Sequence, residues 1–216
     1  MMNDIQKDLL REYVNVFIGQ AANMLSEMAN QRVMLTVPEV EIINMSDEAA
    51  TEFRPLFKHG HIVSSSMKFG REFSGRAMLI FPAQKAKLLV DACMGLQAIA
   101  ETLKNEAQDE SKDFELIDTD FDVLKEISNV ILNSIVGEFS NLIGTTVEFS
   151  VPDVELVFVS ENEQKMYLKN NVYMLMLYTS FSLADAKVEG VVIIALGMNS
   201  LSMLMDKVDE VLGEML

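Results

Sequence analysis

The sequence predicts an α+β fold in which a pseudo-twofold duplicated domain sets two motif-bearing helices on one antiparallel sheet. Three observations lead there. Asp8, Glu12, Asn15 and Pro38 recur 114 positions later as Asp122, Glu126, Asn129 and Pro152, so each half reads Asp-x3-Glu-x2-Asn-x22-Pro. Each half opens with a long stretch whose apolar residues step by three or four, the mark of a helix with one buried face. Runs of alternating or continuous apolar residues follow, separated by glycine turns, and these read as hairpins. A period of this length exceeds the roughly 20 to 50 residues of a solenoid unit, so it marks a duplicated half-domain.

The first helix is expected between Ile5 and Met28, with Leu10, Val14, Phe17, Ala21, Leu25 and Met28 on its buried face. Residues 32–43 alternate as a strand through Val33, Leu35 and Val37 until Pro38, which lacks a backbone donor and so favours an edge or a bulge. Residues 61–69 and 75–81 form a hairpin around the Gly70 to Ser74 turn, and Pro82 opens a helix that runs to Ala92 and ends near Gly95. Residues 97–118 carry Glu101, Glu106, Asp109, Glu110, Lys112, Asp113 and Glu115, an acidic linker between repeats spanning about 1–96 and 119–216 of a single domain. The order then recurs: a helix over 122–142, a strand over 146–158 around Pro152, a hairpin of 173–181 with 190–196, and a closing helix over 199–212. At the same offset Leu10 aligns with Leu124, Leu25 with Phe139, Ser26 with Ser140, Val33 with Val147, Leu35 with Phe149 and Val37 with Val151, so core positions are expected to be duplicated as well. Two such halves bury their apolar surfaces most simply about a pseudo-twofold axis, which would present two equivalent outward faces.

Composition narrows the function classes. Half of the 216 residues are apolar, enough for a sizeable core. The longest strongly apolar run, Val191 to Leu196, falls far short of the roughly 20 residues that a membrane helix needs, so no membrane insertion is expected. Met1 to Leu10 has no apolar core of a secretory signal, which points to a cytoplasmic protein. The single cysteine, Cys93, cannot close an internal disulfide and reads as a small buried thiol in a reducing compartment. A net charge of −16 repels phosphate backbones and anionic surfaces, which argues against nucleic acid as a partner. Met198, Met203 and Met205 read as core filling. His59 and His61 flank Gly60 without a third ligand nearby, so they read as a solvated turn rather than a metal site.

On a helix turning about 100° per residue, Asp8, Glu12 and Asn15 fall within about 60° of one another, as do Asp122, Glu126 and Asn129. Gly19, Ala22 and Ser26 share the first sector; Asn133, Val136 and Ser140 share the second. Carboxylates and an amide among small side chains form a surface that another protein's backbone can approach. A merely solvated face needs polarity alone. It gives no reason for Glu and Asn to recur in one register with a proline 23 residues after the Asn.

Carried twice in a chain of this length, this pattern resembles the CheC branch of the CheC/CheX/FliY family of bacterial chemotaxis phosphatases that act on phosphorylated CheY. The similarity covers essentially the whole chain and implies a CheC-like domain. It implies that Glu12 and Glu126 ion-pair with a lysine of the regulator's active site, and that Asn15 and Asn129 orient a water for in-line attack on the aspartyl phosphate. Asp8 and Asp122 occupy the motif's first position, and Pro38 and Pro152 would shape the strand beside each helix. The Mg²⁺ would belong to the partner regulator, so the chain would have no cofactor or metal of its own. An amide suits the task, because phosphoryl transfer through a loose transition state asks for alignment more than for a strong base. Many members have Ile-Gly between Glu and Asn, whereas this chain has Tyr13-Val14 and Ile127-Ser128. The first copy is the more altered, so the second site is expected to be the more competent.

A reading from another class is a non-catalytic adaptor or flagellar-switch-like module that holds a regulator without hydrolysis. A third is an acidic scaffold that controls a deamidase resembling CheD. Single-motif relatives pair as dimers, so both a monomer and a homodimer suit the chain.

Overall fold

The computed structural model describes residues 2–44, 60–95, 116–159, 172–183 and 186–215. Helix α1 (Asp4–Met28) starts on a reciprocal cap: Asn3 Oδ1 accepts from the Gln6 N–H at 2.8 Å, and Gln6 Oε1 accepts from the Asn3 N–H at 2.8 Å. It stops just before Asn30, whose φ of 49° is the left-handed conformation that asparagine and glycine tolerate best. Strands β1 (Val33–Asn44), β2 (Gly60–Gly70) and β3 (Gly75–Pro82) and helix α2 (Ala83–Cys93) complete the first half. Helix α3 (Asp118–Ile143) opens the second half and ends on Gly144 at φ 80°, the counterpart of Asn30 at the 114-residue offset. Strands β4 (Glu148–Phe149), β5 (Asp153–Val159), β6 (Val172–Leu183) and β7 (Ala186–Gly197) lead to helix α4 (Met198–Met215).

All seven strands join one antiparallel sheet in the order β1-β6-β7-β3-β2, with β4 and β5 both on the outer side of β2. Exchanging β1 with β5, β2 with β6 and β3 with β7 maps this order onto itself. Strand β1 therefore pairs with the hairpin of the second half, and β5 with the hairpin of the first. One face of the sheet, with Val63, Met67, Leu79, Leu175, Leu177, Val192 and Ile194, packs into the main core with the helices. Met78, Ile80, Met174, Met176, Tyr178, Val191 and Ile193 form a second buried cluster on the opposite face. Burial on both faces explains why β7 carries a continuous apolar run instead of an alternation.

The structure moves several expected boundaries. The strand expected over 146–158 divides into β4 and β5, because Pro152 has no N–H to give the ladder. Ser150 makes the local link instead, its N–H bonding the Lys68 carbonyl and its Oγ accepting from the Lys68 N–H, each at 2.9 Å. Strand β7 starts at Ala186 rather than Gly190, since Val188 is buried between exposed Lys187 and Glu189 and continues the alternation. Helix α3 starts four residues before Asp122, where Asp120 Oδ2 accepts from the Ile117 N–H at 3.0 Å. The acidic linker falls outside the described residues except for its last three positions.

Asp120 has a second duty. Lys87 of α2 sets its Nζ 3.0 Å from Asp91 Oδ1 and 3.0 and 3.1 Å from the two oxygens of Asp120, and both aspartates are buried. This cluster locks α2 to the start of α3. Burial acts to lower the Lys87 pKa, but hydrogen bonds and charge from Asp91 and Asp120 outweigh it and raise the value above 10.5. The cluster's contribution is therefore complete below about pH 10.5 and is lost as pH rises through the folded value. Lys87→Met strands two buried carboxylates and is expected to cost about 3 kcal/mol, read as a lower urea midpoint. The parent chain should lose stability as the pH rises through the folded Lys87 value, and the same variant should lack that alkaline loss.

Candidate functional site

The two motif helices lie side by side in the helical layer, where Phe17 of α1 meets Phe139 of α3 edge to face with ring centroids 5.5 Å apart. Leu10, Val14, Phe17, Ile18, Ala21 and Leu25 bury one side of α1, which leaves Asp8 and Glu12 exposed on the other. On α3, Leu124, Ile127, Ile131, Leu132 and Ile135 turn inward, and Asp122 and Glu126 are exposed with Asn129 half-buried beside them. Each Glu thus shares one helix face with its Asn. The residues between them all serve the interior. Val14 and Ile127 are fully buried, Tyr13 stacks at 5.8 Å on Phe17, and Ser128 returns its hydroxyl to the Leu124 carbonyl at 2.6 Å.

The two faces are not equivalent, contrary to the symmetry expected from the repeat. Asn15 is exposed, but its amide is engaged by its own chain: Nδ2 donates to the carbonyls of Arg11 at 3.0 Å and Val37 at 3.2 Å, and Oδ1 accepts from the Val37 N–H at 2.8 Å. The cause lies in β1. Thr36 pairs with Ser180 and Glu39 with Tyr178, so β1 holds one residue more than β6 at this point and bulges at Val37-Pro38. Val37 leaves the ladder, and the Asn15 amide satisfies both of its backbone groups. Asp8 is likewise engaged, 3.0 Å from Arg11.

In the second half Ser150–Pro152 sits beside β2 and Val151 is 73% exposed, so no backbone pair meets Asn129. Its Oδ1 accepts instead from Asn133 Nδ2 at 2.9 Å. Among the described residues Asn129 Nδ2 has no partner, and neither Asp122 nor Glu126 makes an ion pair. The sequence offered one sign of this difference, since the position four residues after Asn15 is Gly19.

The remaining candidates stay apart from these faces. Burial raises the Cys93 thiol to a pKa of about 11, which leaves it protonated and inert at neutral pH. His61 lies in β2 with its ring 5.0 Å from that of Phe158, rather than in a turn; His59 falls outside the described residues. Among the described residues no group of three or more His, Cys, Asp or Glu gathers as a metal site, and no helix is long and apolar enough to cross a membrane. An open polar depression of about 310 Å³, lined by Arg71, Glu72, Gly144, Thr145 and Thr146, lies past the end of α3. Its Arg71 guanidinium is held by Glu148.

No protein-family model matches the chain. The flagellar motor switch phosphatase FliY of Bacillus subtilis (strain 168) is 23% identical over 162 residues, which make up 75% of this chain and 38% of that protein. The X-ray structure of Thermotoga maritima FliY superposes with a TM-score of 0.70 at 16% identity, covering 97% of this chain and 98% of that one. The chain is thus similar in sequence to one FliY and shares its fold with another. The FliM middle domain from H. pylori shares the same α+β fold, with a TM-score of 0.61 at 12% identity over 95% of this chain and 99% of that one. The chain spans well under half of the length of the curated relative it matches.

The two amides should separate under mutation. Asn15→Ala strands the Val37 N–H and C=O and is expected to lower stability by about 2 kcal/mol in urea titration. Asn129→Ala, which removes an amide with no backbone partner, should cost less than about half as much.

Proposed function

We propose that this chain is a phosphatase that hydrolyses the aspartyl phosphate of a CheY-like response regulator in bacterial chemotaxis. The second face carries the reaction. Glu126 grips a lysine of the regulator, and Asn129 reaches into the regulator's site and positions the attacking water. The observation that supports this most is the unpaired Glu126 carboxylate beside an Asn129 whose Nδ2 has no protein partner among the described residues. The regulator supplies the phosphoaspartate and the Mg²⁺ that neutralises the phosphoryl oxygens; this chain supplies register and alignment. Asp122, at the motif's first position, keeps the rim of the face acidic, which suits the cationic residue that Glu126 is to meet. The setting is the cytoplasm, where such regulators diffuse.

At the first face Glu12 is exposed in the same way, but Asn15 has spent its amide on Val37. That observation favours a second reading for this face alone, in which Glu12 helps hold a regulator and no hydrolysis follows. An adaptor or flagellar-switch-like role for the whole chain is the same reading extended to both faces.

Phosphate release from phosphorylated CheY tests both. The parent chain should accelerate release, and Asn129→Ala should lower kcat about 10²-fold while CheY still binds. Glu126→Lys should weaken binding instead. Binding with no acceleration by the parent chain selects the adaptor reading, and an unaltered rate in the Asn15→Ala, Asn129→Ala double variant ends the phosphatase reading.

A further inference from the structure

Asn15 and Asn129 hold the same motif position, yet their carboxamides are held in different ways: the bulge of β1 engages the first, and the residue four positions on engages the second. A side chain at that spacing lies on the same helix face one turn along. Gly19 offers nothing there, and Asn15 turns to the Val37 backbone. Asn133 offers an amide, and its Nδ2 donates to Asn129 Oδ1 at 2.9 Å. The arrangement carries a cost, because Asn133 Oδ1 is buried with no hydrogen-bond partner among the described residues. A half-buried amide whose oxygen goes unsatisfied is a poor structural device, and among the described residues its one bond goes to the motif asparagine. From this geometry we infer that Asn133 is a positioning residue for Asn129, a role that rests on the phosphatase reading above.

The physical effect is on orientation. The terminal torsion of an asparagine is broad and roughly two-fold, so an isolated Asn129 presents its oxygen or its nitrogen almost indifferently. A donor fixed on Oδ1 selects one of the two. Nδ2 becomes the presented end and donates to the water oxygen, while the second lone pair of Oδ1 remains to accept a water proton. Setting that choice in advance removes a rotational freedom that would otherwise be lost at the transition state. Glu126 has no part in this bond, so regulator docking is independent of it.

Two measurements on the full chain test the role. In the unaltered protein, nuclear magnetic resonance of the Asn133 side-chain amide should show slowed hydrogen exchange that is lost in Asn129→Ala; exchange at the rate of a free amide overturns the pairing. With phosphorylated CheY as substrate, Asn133→Asp keeps the shape but removes the donor, and should lower kcat about tenfold at unchanged KM, the effect of one hydrogen bond. Asn133→Gly, which copies Gly19, should do the same and stands in should the aspartate variant not fold. A packing role alone would lower the melting temperature and leave kcat of the folded protein intact. An unchanged or raised kcat in folded variants therefore overturns the positioning role. Should the unaltered chain release no phosphate, the phosphatase reading falls and takes the catalytic purpose of the pair with it, while the exchange measurement still decides whether the pair exists.

Discussion

The first strand of each half bonds to the hairpin of the other half, β1 to β6 and β5 to β2, and the placement of both motif helices follows from that exchange. Helix α1 packs on β1 and is tied to it at both ends of their contact, by Asn15 on Val37 and by Ser26, whose Oγ accepts from the Val33 N–H at 2.9 Å. Since β1 pairs with β6, α1 is tied through β1 to the hairpin of the second half. Helix α3 is then held between α1 and α2, with Phe139 against Phe17 on one side and Asp120 on Lys87 on the other. Contacts of such sequence separation form late and slowly, because the loop-closure entropy is lost before the core repays it.

Within this frame two nearly identical motifs acquire different chemistry from their neighbours. The first copy faces a bulged strand with a free backbone pair, which captures its amide. The second faces a segment displaced to the sheet edge, and its amide meets only another side chain. Identity of residues at a site thus does not guarantee identity of what those residues present. A carboxamide has donors and acceptors to share, and the local backbone claims them before any partner can.

Much of this was legible beforehand where one periodicity ruled. Helix α1, the 61–69 and 75–81 strands and α2 with Pro82 at its start came out within a residue or two, since apolar spacing and glycine or proline punctuation agreed there. The exposure of Glu12 and Glu126 followed from the helical wheel. The early start of α3 did not, because it depends on Asp120 reaching back to Ile117 and across to Lys87. The first residues of β7 were hidden by Lys187 and Glu189, charged residues on an exposed register that alternates with buried Val188. Asn15 was out of reach for a different reason. A wheel gives its angle on α1, but the bond to Val37 depends on where β1 bulges, and Pro38 hinted at a bulge without saying what would fill the gap.

That bulge turns the stretch from Asn15 to Pro38 into a ruler. The rest of α1, the reversal at Asn30 and five residues of β1 must together bring Val37, and no other residue, opposite the amide. One residue added or removed would shift β1 by one step and send Val33 and Leu35 to the face now held by Met34 and Thr36. Single-residue length changes are therefore forbidden in this segment, even at its exposed reversal, where surface loops ordinarily absorb them.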